Sequence, residues 1–244
     1  PWEGEAADAA TDGRLEPAVR SATHDDRLFG IPFTSNAQLL WYRDDLTPEP
    51  PGTWDEMIDA AEGLEADDEP HLIQVQGERY EGLVVWFTSL IASAGTTILD
   101  EEGTGVVLER EPTERVLGIM RRLSRSVAAD PSLSTSREDQ ARLAWEAGDS
   151  AFMVNYSFVW PSANSSSSGP AADVAAQMRW ARFPGVEPGE PSRVAIGGIN
   201  LGIGAYSEHP DMAREAATCI AGEENQLVAV TRGGLLPSSE SVYD

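Results

Sequence analysis

Apolar positions recur with helical spacing in four stretches of this chain. "TWDEMIDAAEGL" places Trp54, Met57, Ile58, Ala61 and Leu64 on one face, and Thr53 with Glu56 three residues on forms a capping box at its start. "EPTERVLGIMRRLSRSVA" opens with Pro112 in its first turn and predicts a buried stripe of Val116, Ile119, Leu123 and Val127. "STSREDQARLAWEAGD" predicts a helix capped by Ser136 and stopped by Gly148, and "HPDMAREAATCIAG" one from Pro210 to Gly222. Between them lie short apolar runs that read as strands: "HLIQVQ", "AFMVNY" and the glycine-interrupted "RVAIGGINLGIG". Helices and strands alternate, which favours an α/β architecture. Residues 161–173, "PSANSSSSGPAAD", read as a flexible surface loop, and the Pro/Gly-rich residues 183–193 as another connection.

One stretch breaks the pattern. "PFTSNAQLLWYRDDL", residues 32–46, begins and continues as a buried strand, yet Thr34, Ser35, Asn36 and Gln38 interrupt its apolar run. Polar groups at strand positions need partners, either in the protein or in a ligand.

Composition narrows the function classes. The 244 residues carry 41 acidic side chains against 17 cationic ones, all of them arginine, for a net charge of -24. Such a charge repels nucleic acid phosphates and anionic lipid surfaces. No apolar run approaches the roughly 18 residues of a spanning helix, and the N-terminus has no targeting pattern. The chain does not begin with Met and is expected to be processed or incomplete. Its single cysteine, Cys219, excludes an internal disulfide and is expected to be a buried, inert thiol.

Catalytic signatures are scarce. His24, His71 and His209 lack metal-ligand spacing, so neither a metal nor a cofactor is expected. "GGINLGIG" looks like a phosphate cradle but is not followed directly by a helix. Glu138 with Asp139 has the chemistry of a glycosidase acid pair, though in so acidic a chain the pair reads first as a solvated face. Aromatic residues carry more information. Trp41, Tyr80, Trp86, Tyr156, Phe158 and Trp160 occur beside hydrogen-bonding side chains, the combination that receives the apolar face and hydroxyl rim of a sugar. Trp41 and Trp86 read as core, and Tyr156, next to Asn155, either as core or as a sugar platform.

"GIPFTSNAQLLWYRDDLTPEPPGTWDEMIDAAEGL" closely resembles a segment of the family 1 extracellular solute-binding proteins of ABC sugar importers, the maltose-binding-like proteins. "NAQLLWYR", "QGERYEGLVVWF", "GGINL" and "GGLLP" further resemble the actinobacterial trehalose-binding lipoproteins, and the likeness runs from about residue 15 to 244. The resemblance implies a two-lobed, periplasmic-binding-protein-like α/β fold of type II, with sugar held in a cleft that closes about a hinge. Residues 1–33 would belong to lobe 1, 34–180 to lobe 2, and 181–244 to the return into lobe 1 and the hinge. Relatives carry further lobe 1 strands before the first residue and helices after the last, so lobe 1 is expected to be incomplete. In relatives the segment matching residues 32–46 passes between lobes with polar side chains facing the cleft, and this assigns Asn36 to the ligand. Glu138 matches a sugar-contacting acid, Tyr156 a stacking aromatic, and Gly197 or Gly198 a glycine whose backbone approaches the sugar. An arginine of the relatives falls at Glu240 or a neighbouring serine, which removes one trehalose contact and leaves a disaccharide or similar glycan.

The function implied is an extracellular substrate-binding subunit that delivers a trehalose-like disaccharide or oligosaccharide to its permease. Its membrane association would come only through a lipid anchor outside this chain. The alternatives are a glycoside hydrolase using Glu138 with a second carboxylate, and a gene fragment without binding activity.

Overall fold

The computed structural model describes residues 1–243; Asp244, the last residue of the segment expected to return to lobe 1, lies outside the described residues. The chain starts with helices α1 (Glu5–Thr11) and α2 (Glu16–Ser21) and a small hairpin, β1 (Thr23–His24) and β2 (Arg27–Leu28). Strands β3 (Gly30–Asn36) and β4 (Leu39–Arg43) follow, then α3 (Trp54–Ala66), β5 (Leu72–Gln74), α4 (Glu81–Ser93) and α5 (Arg110–Leu123). After these come α6 (Glu138–Ala147), β6 (Ser150–Asn155), α7 (Val159–Ala163), α8 (Pro170–Gln177) and β7 (Met178–Ala181). The last elements are β8 (Gly197–Gly202), α9 (Pro210–Ile220), α10 (Glu223–Gly233) and β9 (Leu236–Pro237). They divide into two compact units: Pro1–Ala37 with Ile196–Asp244, and Gln38–Ala195.

The first unit is built on a three-stranded antiparallel sheet in the order β8-β3-β9. Its core is small: Trp2, Ala10, Leu28 and Ile31 pack against Ala217 and Ala221 of the C-terminal helices. A buried amide organises its end. Gln226 donates to the Ala221 carbonyl and the Ser239 hydroxyl, and its carbonyl accepts from the amides of Ser238 and Ser239. Both ends of a side chain that would be costly to bury unpaired are thereby satisfied.

The second unit holds a four-stranded mixed sheet in the order β5-β6-β4-β7. Strands β5 and β6 run parallel, while β4 is antiparallel to both β6 and β7. Every residue of β6 is buried, as expected of a strand covered on both faces. On one side α3, α4 and α5 bury Trp54, Met57, Ile58, Trp86, Leu90, Ile119 and Leu123; a second cluster joins Trp41, Trp145, Met153 and Val174. The capping box at Thr53 and Glu56 forms as the sequence predicts. Helices α3 and α5 are also clamped by charge, for Asp55 accepts from both Arg115 at 2.6 Å and Arg122 at 2.9 Å.

Four expectations are corrected. Val127 is 53% exposed, because α5 ends at Leu123 and the helical stripe stops with it. Cys219 is exposed, since the buried face of α9 passes through Ala217 and a residue two further on points away from it. Ser136 is not a cap: α6 begins at Glu138 with Arg137 in the capping position, and the Ser136 hydroxyl is buried without a partner. Much of 161–173 is helical, because Pro170 starts α8 after Gly169 at φ 81°, and α7 runs to Ala163. The connection thereby shrinks to the serine run itself.

Candidate functional site

The strand polarity of the second unit fixes where a ligand would meet it. Leu39 at the start of β4 pairs with Asn155 at the end of β6, and β5 ends alongside Met153. The segments after β5 and β6 and the one before β4 therefore emerge at one edge of the sheet, the carboxyl ends of its parallel strands, where open α/β sheets bind ligands. Helix α6 is tied to the same edge. Its first residue, Glu138, accepts at its backbone carbonyl from Asn155 Nδ2 at 2.9 Å, and the Glu78 amide donates to the Ser136 carbonyl.

The side chains gathered there are polar and aromatic. Tyr80 is the residue before α4, and its ring folds back over Gly82, where an added Cβ would lie 2.2 Å from the Tyr80 oxygen. That helical glycine makes the ring position possible. Arg137 lies over the Tyr80 ring, its guanidinium carbon 4.7 Å from the ring centroid. The same guanidinium binds Glu78 through two 2.6 Å hydrogen bonds, Nε to one carboxylate oxygen and Nη2 to the other. Arg137 accordingly holds the Glu78 carboxyl below its usual range.

Three buried polar atoms at this edge make no well-formed hydrogen bond among the described residues: Tyr80 Oη, Ser136 Oγ and Gln38 Oε1. Gln38 is otherwise engaged, donating to Gln76 at 2.7 Å, and Gln76 in turn donates to the Val154 carbonyl. The Tyr80 hydroxyl meets no acceptor at full hydrogen-bond geometry, but it faces the Glu138 carboxylate; burial first, and then a hydrogen-bonding and charge contact with Glu138, push its pKa far up. Tyr156, half-buried, is pushed up to about 12 by burial first and then by Glu138 and Glu81. Both phenols are therefore neutral hydrogen-bond donors throughout the physiological range. The edge offers two phenol donors, a carboxylate and an aromatic ring braced by a cation, a set suited to hydroxyl-rich ligands.

Glu138 and Tyr156, singled out from sequence, thus come together in the second unit. Asn36, Gly197 and Gly198 belong to the first unit, where Asn36 pairs with Gly197 and Ser35 with Gly198 across β3 and β8. Asn36 is half-buried, and its side chain makes no hydrogen bond among the described residues. Gly198 has φ 150°, and a Cβ there would approach the Thr34 carbonyl oxygen to 2.2 Å. Close approach of β3 and β8 beside a bulge is sufficient reason for glycine at that position. Of the other polar residues in the stretch 32–46, Ser35 donates to the Pro237 carbonyl at 2.7 Å. The sequence pattern places Tyr80 among the aromatics beside hydrogen-bonding side chains without assigning it to the site, and it gives no sign of Glu78 or Arg137. "GERYEG" carries the only linear signal, a glycine two residues after a tyrosine at a helix start. Among the described residues no group of three His, Cys, Asp or Glu side chains is placed to hold a metal.

The chain is similar to several known proteins. A probable ABC transporter-binding protein of Deinococcus radiodurans is 28% identical over 236 residues, covering 92% of this chain and 54% of that protein. The maltose-bound T. maritima MalE3 structure superposes with a TM-score of 0.87 at 29% identity, over 100% of this chain and 63% of that one. The GacH receptor of Streptomyces glaucescens, at 23% identity and a TM-score of 0.82, shares the fold over 61% of its length. The chain thus spans about half to two thirds of the length of these relatives. Its fold is that of the two-lobed maltose-binding-protein-like proteins, represented here in part. The sequence pattern of the bacterial extracellular solute-binding proteins matches residues 1–227, and the chain belongs to that family.

Proposed function

We propose that this protein is a substrate-binding subunit of an ABC importer that captures an oligosaccharide and passes it to a permease. The observation that carries the reading is the pair of donor phenols, Tyr80 and Tyr156, set around the Glu138 carboxylate at the carboxyl ends of β5 and β6. A buried hydroxyl without a well-formed hydrogen bond carries a desolvation cost that a ligand hydroxyl would relieve. The maltose seen in the T. maritima relative and the importer role named for the Deinococcus relative point the same way. Asn36 and the backbone at Gly197 and Gly198 are proposed as further sugar contacts, on the strength of the sequence resemblance. The ligand is proposed to be a glucose disaccharide or a short oligomer, with trehalose one member of the set. The protein is proposed to work outside the cytoplasmic membrane as a lipoprotein, which detergent-phase partitioning of the native protein tests: recovery in the aqueous phase would contradict the anchor.

Binding alone is the proposed activity. Calorimetric titration with maltose, maltotriose and trehalose is the test. Saturable heat with at least one of them is expected, and the sugar should be recovered unhydrolysed. No heat from folded protein with any of the three, or release of glucose, would overturn the proposal.

A further inference from the structure

A second concavity lies on the second unit, between α4, α5 and the turn at 129–134, with a volume of about 700 Å³. Its floor is aliphatic, formed by Leu83, Leu117, Met120 and Leu133 against Trp86. Arg121, in the last turn of α5, and Arg125, just past its end, line it as well. On the same helix, Arg110, Arg115 and Arg122 all form ion pairs with carboxylates. Arg121 and Arg125 form none, and their guanidinium groups make no hydrogen bond among the described residues. Arg79, Arg182, Arg193 and Arg232 likewise form no ion pair among the described residues; what sets Arg121 and Arg125 apart is that both line the same hollow. Their place at the carboxyl end of α5 suits the helix dipole, but that does not account for an apolar hollow beside them. Asp130 also lines the hollow, and both its oxygens are taken, by Gln74 and by Ser132. The volume falls within the range of small-molecule sites, about 300–1,000 Å³.

We propose that this hollow binds an amphiphilic anion, a medium-chain carboxylate, with its head group on Arg121 and Arg125 and its chain over Leu83, Leu117 and Met120. The site uses none of the residues assigned to sugar, so the inference stands independently of the proposed function. Two guanidinium groups lining one hollow can hold a carboxylate by charge-assisted hydrogen bonds, and an aliphatic floor without an exposed aromatic face favours a methylene chain over a sugar.

The test is calorimetric titration with decanoate below its micellar concentration, with 1-decanol as the neutral control of equal chain length. The intact protein should bind decanoate saturably at one site and bind decanol at least about tenfold more weakly, the scale of losing a charge-assisted hydrogen bond. R121Q/R125Q should weaken decanoate binding by a similar factor with an unchanged melting temperature, because both side chains are exposed. Leu117→Gln, at a residue 50% exposed, should weaken it through the floor instead. Non-saturable heats, equal binding of decanoate and decanol, or decanoate binding that neither variant weakens would overturn the proposal.

Discussion

Tyr80 owes its place to a neighbour two residues on. An alanine in the first turn of a helix ordinarily stabilises by up to about 1 kcal/mol relative to glycine, but at Gly82 the added methyl would fall on the Tyr80 ring. Gly82→Ala is therefore expected to lose about 1–2 kcal/mol of sugar affinity, part of the contribution of burying an aromatic face. Titration of the variant beside the parent protein measures this, and an unchanged affinity would place the Tyr80 ring outside the site. Tyr156 separates a ligand platform from a core residue. Tyr156→Ala should reduce affinity by about 1–3 kcal/mol, whereas truncation of a fully buried aromatic would cost about 3–5 kcal/mol of stability. Paired titrations and melts decide, and a large stability loss without loss of affinity would make it core. Glu138 and Tyr156 were legible in the sequence because a resemblance pointed to them. Arg137 and Glu78 were not, since 59 residues separate two groups that meet only once α6 and the segment after β5 reach the same sheet edge.

At the scale of elements, α3 was legible throughout, because its capping box and its stripe of Trp54, Met57, Ile58 and Ala61 are local signals that tertiary packing reinforces. Helix α4 escaped notice. "EGLVVWFTSLIAS" is apolar on nearly every side, so periodicity has no contrast to work with, and burial of Gly82, Trp86, Ser89, Leu90 and Ile91 shows why. Helix α9 misled differently: its spacing marks an apolar stripe correctly, but only Ala217 is buried along it, and Cys219 faces outward. The pairing of β3 with β8 depends on one backbone conformation. Gly198→Ala combines a positive φ with a close approach to the Thr34 carbonyl, and it should destabilise the first unit by about 1–3 kcal/mol. A melt of the variant within one degree of the parent would show that the strands part without cost.

For the molecule as a whole, the abundance of acid makes pH the natural probe. Burial raises the Asp55 carboxyl, yet the hydrogen bonds from Arg122 and Arg115 outweigh it and hold the group below its usual pKa. A depressed carboxylate contributes stability that is complete above its unfolded pKa, about 3.9, and is lost as pH falls through the lower folded value. The difference in melting temperature between parent and Asp55→Asn should thus be constant above about pH 4 and shrink below it. A difference that persists undiminished in strong acid would show that the α3–α5 clamp is not ionic. The division into two units was anticipated from the resemblance, while the positions at which the chain passes between them depend on long-range packing that no local pattern reports. The central claim is that Tyr80, with Glu138 and Tyr156, receives a sugar. Tyr80→Phe tests it most directly, because it keeps the ring over Gly82 and removes only the hydroxyl that faces Glu138. Calorimetry with the best-bound oligosaccharide should show affinity reduced about tenfold, the scale of one lost hydrogen bond in a buried site, with stability equal to the parent or higher. Equal affinities in Tyr80→Phe and the parent protein would contradict the account.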